Sequence, residues 1–195
     1  PYGARTNRLG EYTVTLLIAG LLLWTVVHFT PSIGVSVKRK WIDLMGQKGY
    51  AASFSLLIVL SLVLIVLGWK STTPTFLYAL PAATKPIALL LLVVAFFLFA
   101  AARLPTRIKR LVRHPQLSSV IVWSSAHLLL NGDSRSVVLF SWLGIWALLE
   151  IIFINKREGK WVKPDAPSWK QEIIWGLVSL AIIIVAVLAH PYISG

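Results

Sequence analysis

The sequence contains no cysteine among its 195 residues, and only 13% of its residues are charged. Without cysteine there can be no disulfide, no thiolate-ligated or covalently attached haem, and no cysteine-bound iron–sulfur cluster. Soluble domains carry about 25% charged residues, so this composition argues against an ordinary soluble fold. Acidic groups are especially scarce, with seven Asp and Glu against 19 Lys and Arg.

Long apolar runs separated by short polar connections make up most of the chain, and 57% of the residues are hydrophobic. Such runs predict an all-α, polytopic helical membrane protein with about six transmembrane helices, forming a single domain over residues 1–195. The six predicted spans are 12–30, 50–69, 86–102, 116–130, 136–154 and 173–190. The fourth is shorter than the ~20 residues that a bilayer usually needs.

The net charge of +12 would suggest a nucleic-acid partner in a soluble protein. In a membrane protein, basic residues instead orient the chain and contact anionic lipid, so no nucleic-acid partner is expected. Fourteen of the 19 Lys and Arg residues fall in the connections after spans one, three and five. The other five are Arg5, Arg8, Lys70, Lys85 and Arg135.

This asymmetry predicts that the basic connections lie on the cytoplasmic, matrix or stromal side, with both termini opposite. The predicted location is a bacterial inner membrane or the inner membrane of an organelle. Membrane lipids, including anionic lipid at the basic connections, are the expected partners, together with other subunits of a membrane complex.

Two histidines lie in the stretch "RHPQLSSVIVWSSAHLLLNGD", at positions 114 and 127. On one helix they would be separated by about 20 Å of rise and about 220° of rotation, so they cannot bind one metal ion. His127 shares a polar helix face with Ser124 and Asn131, and such a face must turn toward protein or water. Either His127 makes a hydrogen bond to another helix, or it is a haem or metal ligand or a proton carrier.

His28 lies in "LLLWTVVHFTPS", four residues after Trp24. Neutral imidazoles from two different helices are the usual axial ligands of b-type haem. His28 and His127 are therefore candidate metal ligands for one haem, with Trp24, Ser124 and Asn131 as supporting residues. Depth in the membrane instead pairs His28 with His114, and an interfacial His28 without a ligand role remains an alternative.

Arg113 and His114 precede the proline that starts the fourth span. They are placed to meet an anionic group, such as a lipid phosphate, a haem propionate or a substrate carboxylate. At the other end of this span, residues 131–133 (Asn-Gly-Asp) predict a turn, and Asp133 could cap the fifth span. Glu150 in the fifth span is either a buried acid or snorkels toward the basic residues that follow it.

These motifs resemble the NnrU family of integral membrane proteins. The pattern is RHP, about a dozen residues, W-x-x-A-H-L-x-x-N-G-D, and then the apolar span "LFSWLGIWALLE". "LLLWTVVHFTPS" and "GYAASFSLLIVLSLVLIVLGW" are similar to that family's first two spans, and the likeness covers Leu16 to about Glu150. The resemblance implies a protein of six or seven membrane helices from a family named for a link to nitrite and nitric oxide respiration.

The same family is related to the plastid zeta-carotene isomerase, which uses b-type haem with histidine ligands. By position, that enzyme's ligand histidines look similar to His28 and His127, and the RHP histidine corresponds to His114. Ser124 occupies the position three before His127 and the chain has no cysteine, so a mechanism that needs a thiol near the haem does not carry over.

The expected function is accordingly a membrane protein that binds b-type haem between helices, with redox activity or isomerase activity on a polyene. Arg113 and His114 would contact the haem propionates. The alternative is an accessory or structural subunit of a larger respiratory or photosynthetic membrane complex, without catalysis of its own.

Overall fold

A computed structural model describes residues 3–194 of the chain, with side chains from residue 14 to residue 191. Arg5, Arg8 and the predicted start of the first span at Tyr12 therefore lie outside the described side chains. The described residues form six helices: α1 Gly3–Ser32, α2 Val35–Ser71, α3 Lys85–Arg103, α4 Pro115–Leu130, α5 Ser134–Glu158 and α6 Trp169–Ser194. This confirms the predicted all-α fold.

Five of these helices are long and apolar enough to cross a membrane. The segments that meet this criterion of length and composition are Val14–Ser32, Val35–Ser71, Ala82–Arg103, Ser134–Glu158 and Trp169–Pro191. With 16 residues, α4 rises about 24 Å, which is less than the ~30 Å of a hydrocarbon core. The chain is thus an integral membrane protein with five helices of spanning length and one shorter helix, α4.

The first basic connection is where the structure departs most from the predicted boundaries. The predicted spans leave residues 31–49 as a connection between the first two helices. In the structure, most of these residues form the first part of α2. The helix is kinked at Gly46, whose backbone has φ 71° and ψ 168°. Only glycine adopts such angles readily, so the kink is encoded at this residue.

The chain separates into two compact units. The first contains the described residues up to Tyr78 together with Gly132–Trp142. In this unit α1 packs along α2, and Leu17 and Leu21 are fully buried. A Cβ atom at Gly68 would overlap the backbone of Leu17, so the close approach of the two helices requires glycine at that position.

A short backbone bridge completes the first unit. The amides of Leu77 and Tyr78 donate to the carbonyl of Gly132, at 2.8 and 3.0 Å. Asp133 then caps α5, because its carboxylate accepts a hydrogen bond from the Ser136 amide at 3.0 Å. The predicted cap at Asp133 is therefore confirmed. The predicted turn is not found, because Asn131 has extended backbone angles and Asp133 belongs to an antiparallel backbone bridge with Phe76.

The second unit contains residues 79–131 and 143 onward. Here α3 packs against α4 and α6 through small buried side chains; those on α3 are Ala88, Ala95, Ala100 and Ala101. Glu172 in the first turn of α6 accepts hydrogen bonds from the Thr106 hydroxyl and the Arg107 amide. The Arg107 guanidinium lies 4.0 Å from the centre of the Trp169 ring. These contacts attach the connection after α3 to the start of α6.

Candidate functional site

His28 lies in the last two turns of α1 and is held by its own helix. Its Nδ1 is 2.9 Å from the carbonyl oxygen of Trp24. Because a carbonyl oxygen can only accept, the proton of this bond must be on Nδ1. In the neutral imidazole, Nε2 then has the lone pair. The Trp24 ring lies against the imidazole with centroids 4.1 Å apart, and Phe54 of α2 meets it edge-on at 5.9 Å.

The residue three positions before His28 connects this region to α5. The Thr25 hydroxyl donates to the carbonyl of Leu21 at 2.8 Å. It also accepts a hydrogen bond from the indole nitrogen of Trp142 at 2.9 Å. The hydrogen bond between Trp142 and Thr25 therefore holds this part of α1 against α5 within the first unit.

His127 lies in the last turn of α4, in the second unit. Its Nδ1 is 2.9 Å from the carbonyl oxygen of Trp123, and the two rings are 4.7 Å apart. The proton assignment is the same as for His28, with Nδ1 protonated and Nε2 carrying the lone pair in the neutral ring. Asn131 ends the helix, because its amide and its side-chain Nδ2 both donate to the carbonyl of His127.

Ser124 is almost completely buried, at 2% exposure, on the α4 face that meets α5. Its neighbour there is Gly144, where a Cβ atom would lie 3.3 Å from the Cβ of Ser124. Within the part of the chain that the structure describes, the Ser124 hydroxyl makes no hydrogen bond. Such a group is costly to bury, and few occur in natural proteins.

The two histidines thus share one local arrangement, Trp-x-x-x-His. In each case the imidazole donates to the carbonyl of the tryptophan four residues earlier. A polar side chain four residues later, Ser32 or Asn131, donates to the histidine carbonyl at 3.1 Å. The spacing of both pairs is visible in the sequence as "WTVVH" and "WSSAH", whereas the hydrogen bond from each imidazole to the tryptophan carbonyl is seen only in the structure.

Arg113 and His114 are brought to the C-terminal end of α5. The Arg113 guanidinium donates to the carbonyl of Gly159 at 2.8 Å and lies 3.4 Å from the Glu158 carboxylate. A cation at this position also complements the negative end of the helix dipole. The Nε2 of His114 is 2.9 Å from the Asn155 side-chain oxygen. Both residues therefore fasten the start of α4 to the end of α5.

An open pocket of about 520 Å³ lies beside these contacts. It is lined by Arg113, His114, Ile154, Arg157, Glu158, Lys160, Trp161 and Val162. Four of the eight side chains are basic or imidazole groups, and Glu158 supplies the opposite charge. The pocket is consistent with an anionic ligand, which stays a prediction for this part of the molecule.

Glu150 of α5 is buried, with 4% of its surface exposed. The alternative in which it snorkels to solvent is therefore wrong, because its helix face is turned into the protein. Among the described residues there is no group of three or more His, Asp or Glu side chains that could hold a metal ion. A zinc centre needs such a group, whereas axial ligation of haem needs one or two histidines.

Fold and site together define a polytopic helical membrane protein whose apolar helices carry matched tryptophan–histidine pairs. Residues 16–195 match the family model described as "NnrU protein", and the chain belongs to the NnrU family. The match extends beyond Glu150, where the sequence resemblance ended, and includes α6. No curated protein and no solved structure matches the chain.

Proposed function

We propose that this NnrU-family membrane protein binds b-type haem, with His28 and His127 as axial ligands. The observation that carries the proposal is the shared proton assignment of the two imidazoles. An axial ligand needs a nitrogen with a lone pair, and the bond from Nδ1 to a backbone carbonyl supplies it at Nε2. A bond of this kind orients metal-bound imidazoles in many proteins and makes them better donors.

The neighbouring side chains fit such a role. The Trp24 and Trp123 rings lie against the imidazoles at 4.1 and 4.7 Å and limit their rotation. Asn131 stabilises the end of α4 by donating a hydrogen bond to the carbonyl of His127. The side chain of Ser124 is small, so α4 can pack closely against Gly144 of α5. Bound haem would supply a redox-active iron in an apolar surrounding.

Arg113 and His114 enter the proposal as contacts for the haem propionates. Arg113 uses two of its guanidinium nitrogens at the end of α5, and a guanidinium has five N–H donors. A carboxylate in the adjoining pocket would find positive charge from Arg113, Arg157 and Lys160. We further propose that this side of the protein faces the cytoplasm, matrix or stroma.

Two activities are compatible with this site, namely electron transfer and isomerisation of a polyene such as zeta-carotene. The likeness of His28 and His127 to the ligand positions of the plastid isomerase supports the second. Incubating the purified protein with cis-carotenoids and separating the products by chromatography tests it. An accessory subunit of a larger membrane complex is the alternative, and co-purification with such a complex without a cofactor would support it.

Absorbance spectroscopy of the purified protein tests haem binding directly. We expect a Soret band, a pyridine haemochrome spectrum of b-type haem, and low-spin bands typical of two histidine ligands. His28→Ala and His127→Ala should each abolish the low-spin spectrum, because each removes one strong axial ligand. A protein that contains no haem after expression with a haem supply would overturn the proposal.

His190→Ala is the matched control, since His190 lies near His127 but belongs to α6 and has no place in the proposed ligation. Its spectrum should equal that of the unmodified protein. If His190→Ala lost the low-spin spectrum and His127→Ala kept it, the ligand would be His190 and the assignment of His127 would be wrong.

A further inference from the structure

The first stretch of α2, Val35–Met45, has the pattern of an amphipathic helix. At 100° per residue, its apolar side chains occupy one half of the helix circumference and most polar side chains the other. The apolar half contains Val35, Val37, Trp41, Ile42, Leu44 and Met45, and the polar half contains Ser36, Arg39, Lys40 and Asp43. We call this stretch the basic amphipathic segment.

Most of the apolar half of the basic amphipathic segment is open, and of its apolar side chains only Trp41 and Ile42 are half-buried among the described residues. Leu44 is 85% exposed, Val37 57% and Met45 53%. The polar half is exposed as well. A helix with both an open apolar half and an open basic half is suited to the boundary between lipid and water.

The membrane can be crossed without this segment. Residues 47–71 of α2 rise about 37 Å, which exceeds the ~30 Å of a hydrocarbon core. The segment is joined to them through the kink at Gly46, and it follows directly on the spanning part of α1, which ends at Ser32. It therefore connects two membrane-spanning helices and must lie at the membrane boundary.

Contacts with Tyr50 hold the segment at the start of the spanning part of α2. The Trp41 ring meets the Tyr50 ring edge-on at 5.1 Å. The Lys38 ammonium, which falls within the apolar half, lies 5.7 Å from the centre of the same ring. Lys38 is thus turned toward an aromatic face, and Arg39 and Lys40 remain exposed on the polar half.

We propose that the basic amphipathic segment lies in the plane of an anionic lipid leaflet. Its apolar half enters the boundary between head groups and acyl chains, and Arg39 and Lys40 contact lipid phosphates. The open apolar half, the basic charge and the position between two spanning helices all match a leaflet whose lipids are anionic. This interaction is independent of haem.

Because the sequence contains no cysteine, an introduced cysteine is the single thiol and the label attaches at that position alone. Val37→Cys and Leu44→Cys label the apolar half, and Ser36→Cys and Asp43→Cys are matched controls on the polar half. Each full-length variant is labelled with the fluorophore NBD and reconstituted in phosphatidylcholine vesicles with or without phosphatidylglycerol. Quenching is measured with nitroxide-bearing lipid and, separately, with aqueous iodide.

We expect positions 37 and 44 to be quenched by nitroxide lipid and protected from iodide, and positions 36 and 43 to show the reverse. Equal quenching of both halves by iodide would overturn the proposal. Protection of positions 37 and 44 from iodide without quenching by nitroxide lipid would also overturn it, because protein rather than lipid would then cover the apolar half.

The anionic part of the proposal is tested with Arg39→Gln and Lys40→Gln in the Leu44→Cys background. The preference of the labelled site for nitroxide phosphatidylglycerol over nitroxide phosphatidylcholine should fall about fivefold per removed charge. Lys70→Gln, which removes a basic residue at the other end of α2, should leave this preference unchanged. An unchanged preference in the Arg39 and Lys40 variants would contradict the assignment of lipid phosphate as their ligand.

Discussion

The His28 and His127 regions have the same local arrangement but different surroundings. In both, Nδ1 donates to the carbonyl of a tryptophan four residues earlier, at 2.9 Å. They differ three residues before the histidine. The Thr25 hydroxyl has a donor from Trp142 and an acceptor in its own helix. The Ser124 hydroxyl is buried against Gly144 and has no hydrogen bond to any side chain or backbone group in the described part of the chain.

The comparison separates two levels of structure. Helix geometry places residue i beside residue i−4, so each imidazole can reach the carbonyl of its own tryptophan, and the hydrogen bond made there sets the proton position. Whether the hydroxyl at i−3 finds a partner depends on which residue the neighbouring helix presents. A tryptophan indole can donate to Thr25, and a glycine offers Ser124 no side chain. The contacts that support the two regions can therefore be removed one at a time.

The largest expected effect comes from Gly68→Ala, which alters the helix pair that carries His28. The added Cβ would overlap the backbone of Leu17, so α1 and α2 must separate. We expect destabilisation by about 1–3 kcal/mol or more, as for other overpacked cores. The measurement is the melting temperature of the detergent-solubilised protein, followed by size-exclusion chromatography after heating.

Gly176→Ala in α6 is the matched control for Gly68→Ala. A Cβ atom at Gly176 would meet nothing within 4 Å, so the change should be neutral or stabilise the helix by up to about 1 kcal/mol. If Gly68→Ala and Gly176→Ala had the same melting temperature, the close packing of α1 on α2 would be wrong.

A smaller effect is expected for Thr25→Val, which keeps the shape of the side chain and removes its hydroxyl. The Trp142 indole then loses its acceptor, at a cost of about 1 kcal/mol. For a chain of this size, that corresponds to a melting temperature lower by about 2–4 °C. Thr30→Val is the control, since the Thr30 hydroxyl donates to the carbonyl of Val26 in its own helix. Equal melting temperatures for the two variants would show that the Trp142 bond contributes nothing.

The smallest effect is expected for Ser124→Ala. Removing a buried hydroxyl that has no hydrogen bond among the residues the structure describes should leave stability unchanged or raise it by about 1 kcal/mol. Ser125→Ala, next to it on the exposed side of α4, is the control, and its hydroxyl bonds to the carbonyl of Ile121. A clear loss of stability in Ser124→Ala alone, read from the same thermal assay, would mean that the hydroxyl has a partner in the folded protein.

Local signals predicted some elements well. The fourth span was expected at 116–130, and α4 runs from Pro115 to Leu130, because a proline marks its start and the Asn-Gly-Asp sequence follows its end. The helical conformation of the first basic connection was not predicted, since its dense charge concealed the helical spacing of Val37, Trp41 and Leu44. The choice between a buried and a snorkelling Glu150 could not be made either, because it depends on which helix face meets a neighbour.

The pairing of His28 with His127 as ligands of one haem stays a prediction, as does the side of the membrane that the basic connections face. The roles of Arg113 and His114 are partly explained without a ligand, since both fasten α4 to the end of α5. Sequence neighbours could not reveal this, because their partners lie more than 40 positions away along the chain.

By itself, the sequence determined that this protein is helical, that it belongs in a membrane, and that two tryptophan–histidine pairs stand at helical spacing. These properties follow from apolar runs and from the i to i−4 geometry of a helix, which need no information from elsewhere in the chain. Only the tertiary structure decided that Glu172 accepts hydrogen bonds from Thr106 and Arg107, and that Thr25 has a partner while Ser124 has none within the described residues. The physical reason is that such contacts depend on how helices distant in the chain pack side by side.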